Sequence, residues 1–231
     1  MNSKLLFIMA AMFAAAVPET RAEHRDKQAT ETPAKYGVWK HTGLMYIVTT
    51  PSGADLPSTA LAKDFPLLVR LNKEFFDFTQ AMPRGQDVRF SSNGKALAYQ
   101  IERWDAVVGK ADIWVRIPII RGNAQQGIRM HWGNDAALSE SNGEKVFQTT
   151  EGFAGVWHLG SSLEDSTSNN LDGFDSPDQA TTNTRGVIGD AREFGKNKFL
   201  VIRQPGAKRD RRVTCMPSGN AERTLSAWVN P

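Results

Sequence analysis

Six short segments between residues 39 and 134 share one texture, apolar residues alternating with polar ones and cut by Gly, Pro, Asn or Asp. They are WKHTGLMYIVT (39–49), DFPLLVRLN (64–72), DVRF (87–90), ALAYQIERW (96–104), ADIWVRIPII (111–120) and GIRMHWGN (127–134). A period of two puts successive side chains on opposite faces of a strand, so each segment offers one face to a core. In the fifth, Ile113, Val115 and Ile117 share a face, with Trp114 and Arg116 on the other. In the sixth, Ile128, Met130 and Trp132 lie opposite Arg129 and His131. Only STALAKD (58–64) and DAALSESNG (135–143) suggest helical turns. Closely spaced strands without long helices predict an all-β fold, an antiparallel β-sandwich over residues 36–150.

A second texture begins near Gly152. GFAGVWHLG (152–160) reads as a short strand, SSLEDSTSNNLDG (161–173) as a long polar turn, and GVIGDAREFGKNKFLVIRQ (186–204) as two strands around a Gly-Lys-Asn-Lys hairpin. The final ERTLSAWVNP (222–231) alternates Leu225, Ala227 and Val229 with Thr224, Ser226 and Trp228, and predicts one more strand. Four or five strands over residues 152–231 are few for an independent two-layer sandwich.

The first 22 residues have a positive start, the apolar run LLFIMAAMFAAAV and small residues before a cut after Ala22, the layout of a signal peptide. The run is shorter than the roughly 20 residues a membrane span needs, so no transmembrane helix is expected after cleavage. Residues 23–35 are polar and aperiodic and read as a linker. Export to the periplasm, cell envelope or exterior is the expectation. Cys215 has no partner thiol in the chain, which excludes an intrachain disulfide, and reads as a buried small apolar residue. A net charge of +3 without a dense cationic face argues against nucleic acid. The densest cluster, RQPGAKRDRR (203–212), carries Pro, Gly and Asp and reads as a solvated loop.

Two stretches resemble known families. GVWHL, LEDSTSNNLDG, GVIGDAREFG, FLVI and SAWVNP occur in the order seen in the first half of a concanavalin A-like lectin/glucanase domain of the laminin-G-like type. The resemblance implies an incomplete concanavalin A-like (jelly-roll) sandwich over residues 152–231, truncated where its last strand would open a sheet. DFPLLVRLN, GQDVRFSSNGKALAYQIERWD, ADIWVRIPII and GIRMHWGN resemble a bacterial domain of unknown function found in ExbB/TolQ-type biopolymer-transport proteins. That likeness implies an extracytoplasmic β module, and channel components of the ExbB/TolQ type as one class of partner.

The candidate chemistry is sparse. Glu102 and Asp105 flank Trp104, a carboxylate pair beside an aromatic, but strict alternation sets Glu102 and Trp104 on one face with Asp105 at the strand end. The Glu-x-Asp-x-x-Glu strand of the resembling glucanases is missing. Asp165, Asn169, Asn170 and Asp172 form an oxygen-rich turn of the kind that can ligate calcium, and Asx-turn chemistry explains the same composition without a metal. No other cofactor is expected. His131 and His158 lack neighbours at zinc-ligand spacing. Trp39 and Trp104 are the candidate stacking platforms for a sugar. The expected function is binding of a glycan or an envelope protein without catalysis. The alternatives are an accessory of a proton-driven transport complex and a glycoside-processing enzyme.

Overall fold

A computed structural model describes residues 35–203, 213 and 215–230. The signal-peptide and linker readings up to residue 34, and all of the basic loop but Arg203, lie outside the described residues. The chain divides into two compact units, with the boundary between Ser141 and Asn142.

The first unit is an antiparallel β-sandwich. One sheet has the order β1 (His41–Val48), β7 (Gln125–Trp132), β3 (Arg89–Ser92), β4 (Lys95–Leu97). The other has the order β2 (Leu61–Asn72), β6 (Lys110–Arg121), β5 (Tyr99–Asp105). The alternation read from the sequence supplies the filling. Met45, Ile47, Phe90, Ile128 and Met130 from the first sheet meet Val69, Leu71, Tyr99, Ile113, Val115 and Ile117 from the second in one core.

Turn chemistry fixes the connections. Asn93 and Gly94 have φ of 48° and 72°, the paired positive values of a two-residue hairpin that Asn-Gly adopts readily, and they join β3 to β4. The chain then changes sheet through one residue, Ala98, whose carbonyl accepts from the amide of Arg116. It changes back at residues 122–124, where Thr49 fastens the corner. The Thr49 Oγ1 lies 2.6 Å from the Arg121 carbonyl and accepts from the Ala124 amide at 2.9 Å. Edge strand β2 carries Lys63, Pro66 and a positive-φ Asp64, features that blunt an edge against strand addition.

STALAKD is no helical turn. Its second half is already β2, because Leu61, Ala62 and Lys63 pair with Arg121, Ile120 and Ile119. In DAALSESNG only the last residue is helical, Gly143 of α1 (Gly143–Val146), which Asn142 caps by accepting from the Lys145 amide.

The second unit is built of two antiparallel ladders. β8 (Gly173–Asp175) pairs with β11 (Leu200–Ile202), and β9 (Thr182–Arg185) pairs with β10 (Asp190–Glu193). The Gly-Lys-Asn-Lys turn is present, since Gly195 and Lys198 exchange both backbone hydrogen bonds at 3.1 Å, but the strands on either side of it pair elsewhere. GFAGVWHLG joins no ladder, and neither do residues 221–230. Leu225 and Val229 are exposed there, so their alternation has no neighbouring strand to convert it into a sheet. Cys215 is exposed rather than buried.

Candidate functional site

A single inserted residue reorganises the outer face of the β2-β6-β5 sheet. Ile101 pairs with Ile113 but Arg103 pairs with Asp112, so Glu102 is the extra residue of a β-bulge. The bulge separates two side chains that strict alternation sets on one face. Trp104 turns inward, its ring edge-on to Phe76 at 5.9 Å and to Phe78 at 5.1 Å. Glu102 points outward and its Oε2 accepts from Nε1 of Trp114 at 2.6 Å. Gly85, at φ +66°, lies against the Trp104 ring so closely that a Cβ would fall 2.6 Å from Cε3, so the packing of this tryptophan depends on that glycine.

Trp114 lies between core residues Ile113 and Val115 and therefore projects from the outer face, where it is partly exposed. Its cross-strand neighbours are Leu68 and Gln100. Two ion pairs flank it along the strand, Arg70–Asp112 at 3.3 Å and Arg116–Asp64 at 2.7 Å. The result is an indole anchored by a carboxylate and surrounded by amide, guanidinium and carboxylate groups. Alternation in the sequence sets Trp114 on the face opposite Ile113, Val115 and Ile117 but does not single it out. That alternation was the available signal.

The other sequence candidates are built into the fold. Trp39 donates from Nε1 to the Asp87 carbonyl at 2.6 Å, meets Tyr36 edge-on at 5.4 Å and carries the Arg89 guanidinium 5.5 Å from its ring centre. Tyr36 stacks on His131 at 4.2 Å, which buries a histidine on the outer side of the first sheet. The His131 Nε2 lies 2.9 Å from Ser91 Oγ and its Nδ1 3.0 Å from Thr42 Oγ1. Ser91 is 1% exposed, which removes it from any substrate, and the group beyond the ring is a hydroxyl rather than the carboxylate that orients a catalytic histidine.

Arg89 ties this region to Tyr99 and Glu140. It donates to the Tyr99 phenol at 3.1 Å and to the Leu138 carbonyl at 2.6 Å, and its Nε lies 3.2 Å from the Glu140 carboxylate. Burial raises the Tyr99 phenol above its ordinary value, outweighing the lowering charge of Arg89. A raised folded-state value means the stabilisation is complete below the unfolded value of about 10 and is lost as pH rises through the folded one. Thermal unfolding measured from pH 8 to 11 is expected to hold level to about pH 10 and then fall. The fall should be smaller in Tyr99→Phe, which has no phenol to ionise.

Asp105 is held below its usual range by hydrogen bonds from the Val108 amide and from Arg103, the opposite of what a proton donor needs. In the second unit, Asp165 accepts from the amides of Val156, Thr167 and Leu171 and from the Thr167 hydroxyl, all within 3.0 Å. Asp172 accepts from the Asp165 amide, and the Asn169 and Asn170 side-chain amides donate to the Ala154 and Ser168 carbonyls. The turn is thus knitted by Asx-type bonds. Among the described residues no three His, Cys, Asp or Glu side chains are grouped to hold a metal ion.

A family model matches part of the chain. Residues 84–160 match a domain of unknown function, DUF2341. The match takes in β3 to β7 with the Glu102 bulge and Trp114, and runs past the unit boundary to Gly160. No curated protein and no solved structure matches the chain.

Proposed function

We propose that this chain is an exported, non-catalytic binding protein of the cell envelope, which holds a glycan on the outer face of the β2-β6-β5 sheet. The carrying observation is Trp114, an indole on a sheet face whose N–H is fixed by Glu102. The face of a pyranose ring presents C–H groups and matches the negative face of an indole, while its equatorial hydroxyls reach groups in the plane around it. Gln100, Glu102, Arg70 and Arg116 surround the indole with such groups. Arg70 and Arg116 are neutralised by Asp112 and Asp64, which suits a neutral polyhydroxyl ligand better than an anion.

Hydrolysis has less support, because glycosidic cleavage needs one carboxyl held protonated while Asp105 is pushed the other way. The test is a glycan array and a glycosidase panel run on the purified protein and on Trp114→Ala. Affinity for the bound glycan should fall at least tenfold in the variant, with no turnover in either. Failure of the unaltered protein to bind any glycan, or turnover lost on changing Glu102, would overturn the reading.

A further inference from the structure

The mouth of the sandwich carries a groove apart from Trp114. Where the β3–β4 hairpin and the β6–β7 corner approach each other the two sheets part, leaving a groove of about 450 Å³. That volume lies within the range of small-molecule sites, roughly 300–1,000 Å³. Its floor is Ile47, Leu97, Ile117 and Ile128, contributed by both sheets and each at most 7% exposed. Its rim carries Lys95 and Arg121, and no Asp or Glu lines it among the described residues.

An apolar floor alone would take any greasy body. The rim is selective, because two cations with no lining acid favour an anionic head and disfavour a cationic one. The rim side chains also stand apart from the corner that shapes the groove, which is held by backbone and amide groups. Gln126 accepts from the Arg121 amide at 2.6 Å and donates to the Ile119 carbonyl at 3.0 Å. The Arg121 side chain can therefore be changed while the corner stays intact.

We infer that the groove binds a carboxylate amphiphile of the fatty-acid type, with the alkyl chain over Ile117 and Ile128 and the carboxylate between Lys95 and Arg121. Each added methylene that enters the groove should tighten binding about fourfold.

The test titrates the full chain by calorimetry with octanoate, nonanoate and decanoate below their micelle concentrations, and with decyltrimethylammonium and decyl phosphate. The carboxylates should bind one per chain with that length dependence, the ammonium at least tenfold more weakly than decanoate. Lys95→Glu/Arg121→Glu should reverse the order, and Lys95→Gln/Arg121→Gln should level it. Methyl NMR should show shifts at Ile47, Leu97, Ile117 and Ile128 on adding decanoate. Equal binding of decanoate and the ammonium would overturn the inference, as would stronger binding of the phosphate than of decanoate, no binding at all, or methyl shifts confined to other parts of the core. The glycan reading is scored separately, since Trp114→Ala should bind decanoate unchanged.

Discussion

Asp87→Ala is expected to destabilise the first unit by about 3–5 kcal/mol, a large part of the roughly 5–15 kcal/mol that holds a typical domain. Asp87 is fully buried. Its Oδ1 accepts from the Met82 amide at 2.8 Å, and its Oδ2 from the Gly133 amide at 2.6 Å and more distantly from that of Asn134. Its own carbonyl receives Trp39. One residue thus joins the turn at residue 82, the end of β7 and the segment before β1. Alanine leaves the amides without their acceptor at roughly 1–3 kcal/mol each, and no nearby side chain is placed to replace it. Asp87→Asn keeps one carbonyl oxygen and should lose about half as much. Urea unfolding of the three proteins checks the order, and an alanine variant within about 1 kcal/mol of the parent would refute it.

Ile113→Ala and Trp114→Ala change adjacent residues and should separate stability from binding. Ile113 is wholly buried at the centre of the core, and its truncation removes packed methyl groups and leaves a cavity, at about 3–4 kcal/mol. Trp114, on the opposite face, gives up partly exposed area and one hydrogen bond to a carboxylate, about 1–2 kcal/mol. Chemical denaturation should rank Ile113→Ala well below Trp114→Ala, whereas glycan affinity should rank them the other way. A Trp114→Ala protein as unstable as Ile113→Ala would mean that the indole is part of the packing and not a platform.

The strands of the sandwich could be read from the sequence because burial imposes a period that survives in the residues. Ile113, Val115 and Ile117 are of this kind. The site was less legible. Glu102 and Trp104, which strict alternation sets on one face, come to lie on opposite faces through one unpaired residue, and nothing in QIERW marks where a ladder will slip. Tyr36 reads as the start of a strand region, yet its ring covers His131, a contact between residues far apart in the chain. In the second unit local pattern misled where a partner strand was needed. The 152–160 segment is apolar like a strand and the 222–231 segment alternates, but a local pattern supplies only one side of a ladder.

The pairing of β1 with β7 bears on how such a chain comes to be made. Thr42 and His131 sit side by side although 89 positions separate them. During synthesis β1 emerges early and has no template until β7 has left the ribosome, at roughly 5–20 residues per second. For those seconds Leu44, Met45, Tyr46 and Ile47 form an orphaned apolar segment, and long-range closures of this sort are slow once the partner arrives. Shielding of nascent β1 until β7 arrives is the kind of assistance this topology calls for.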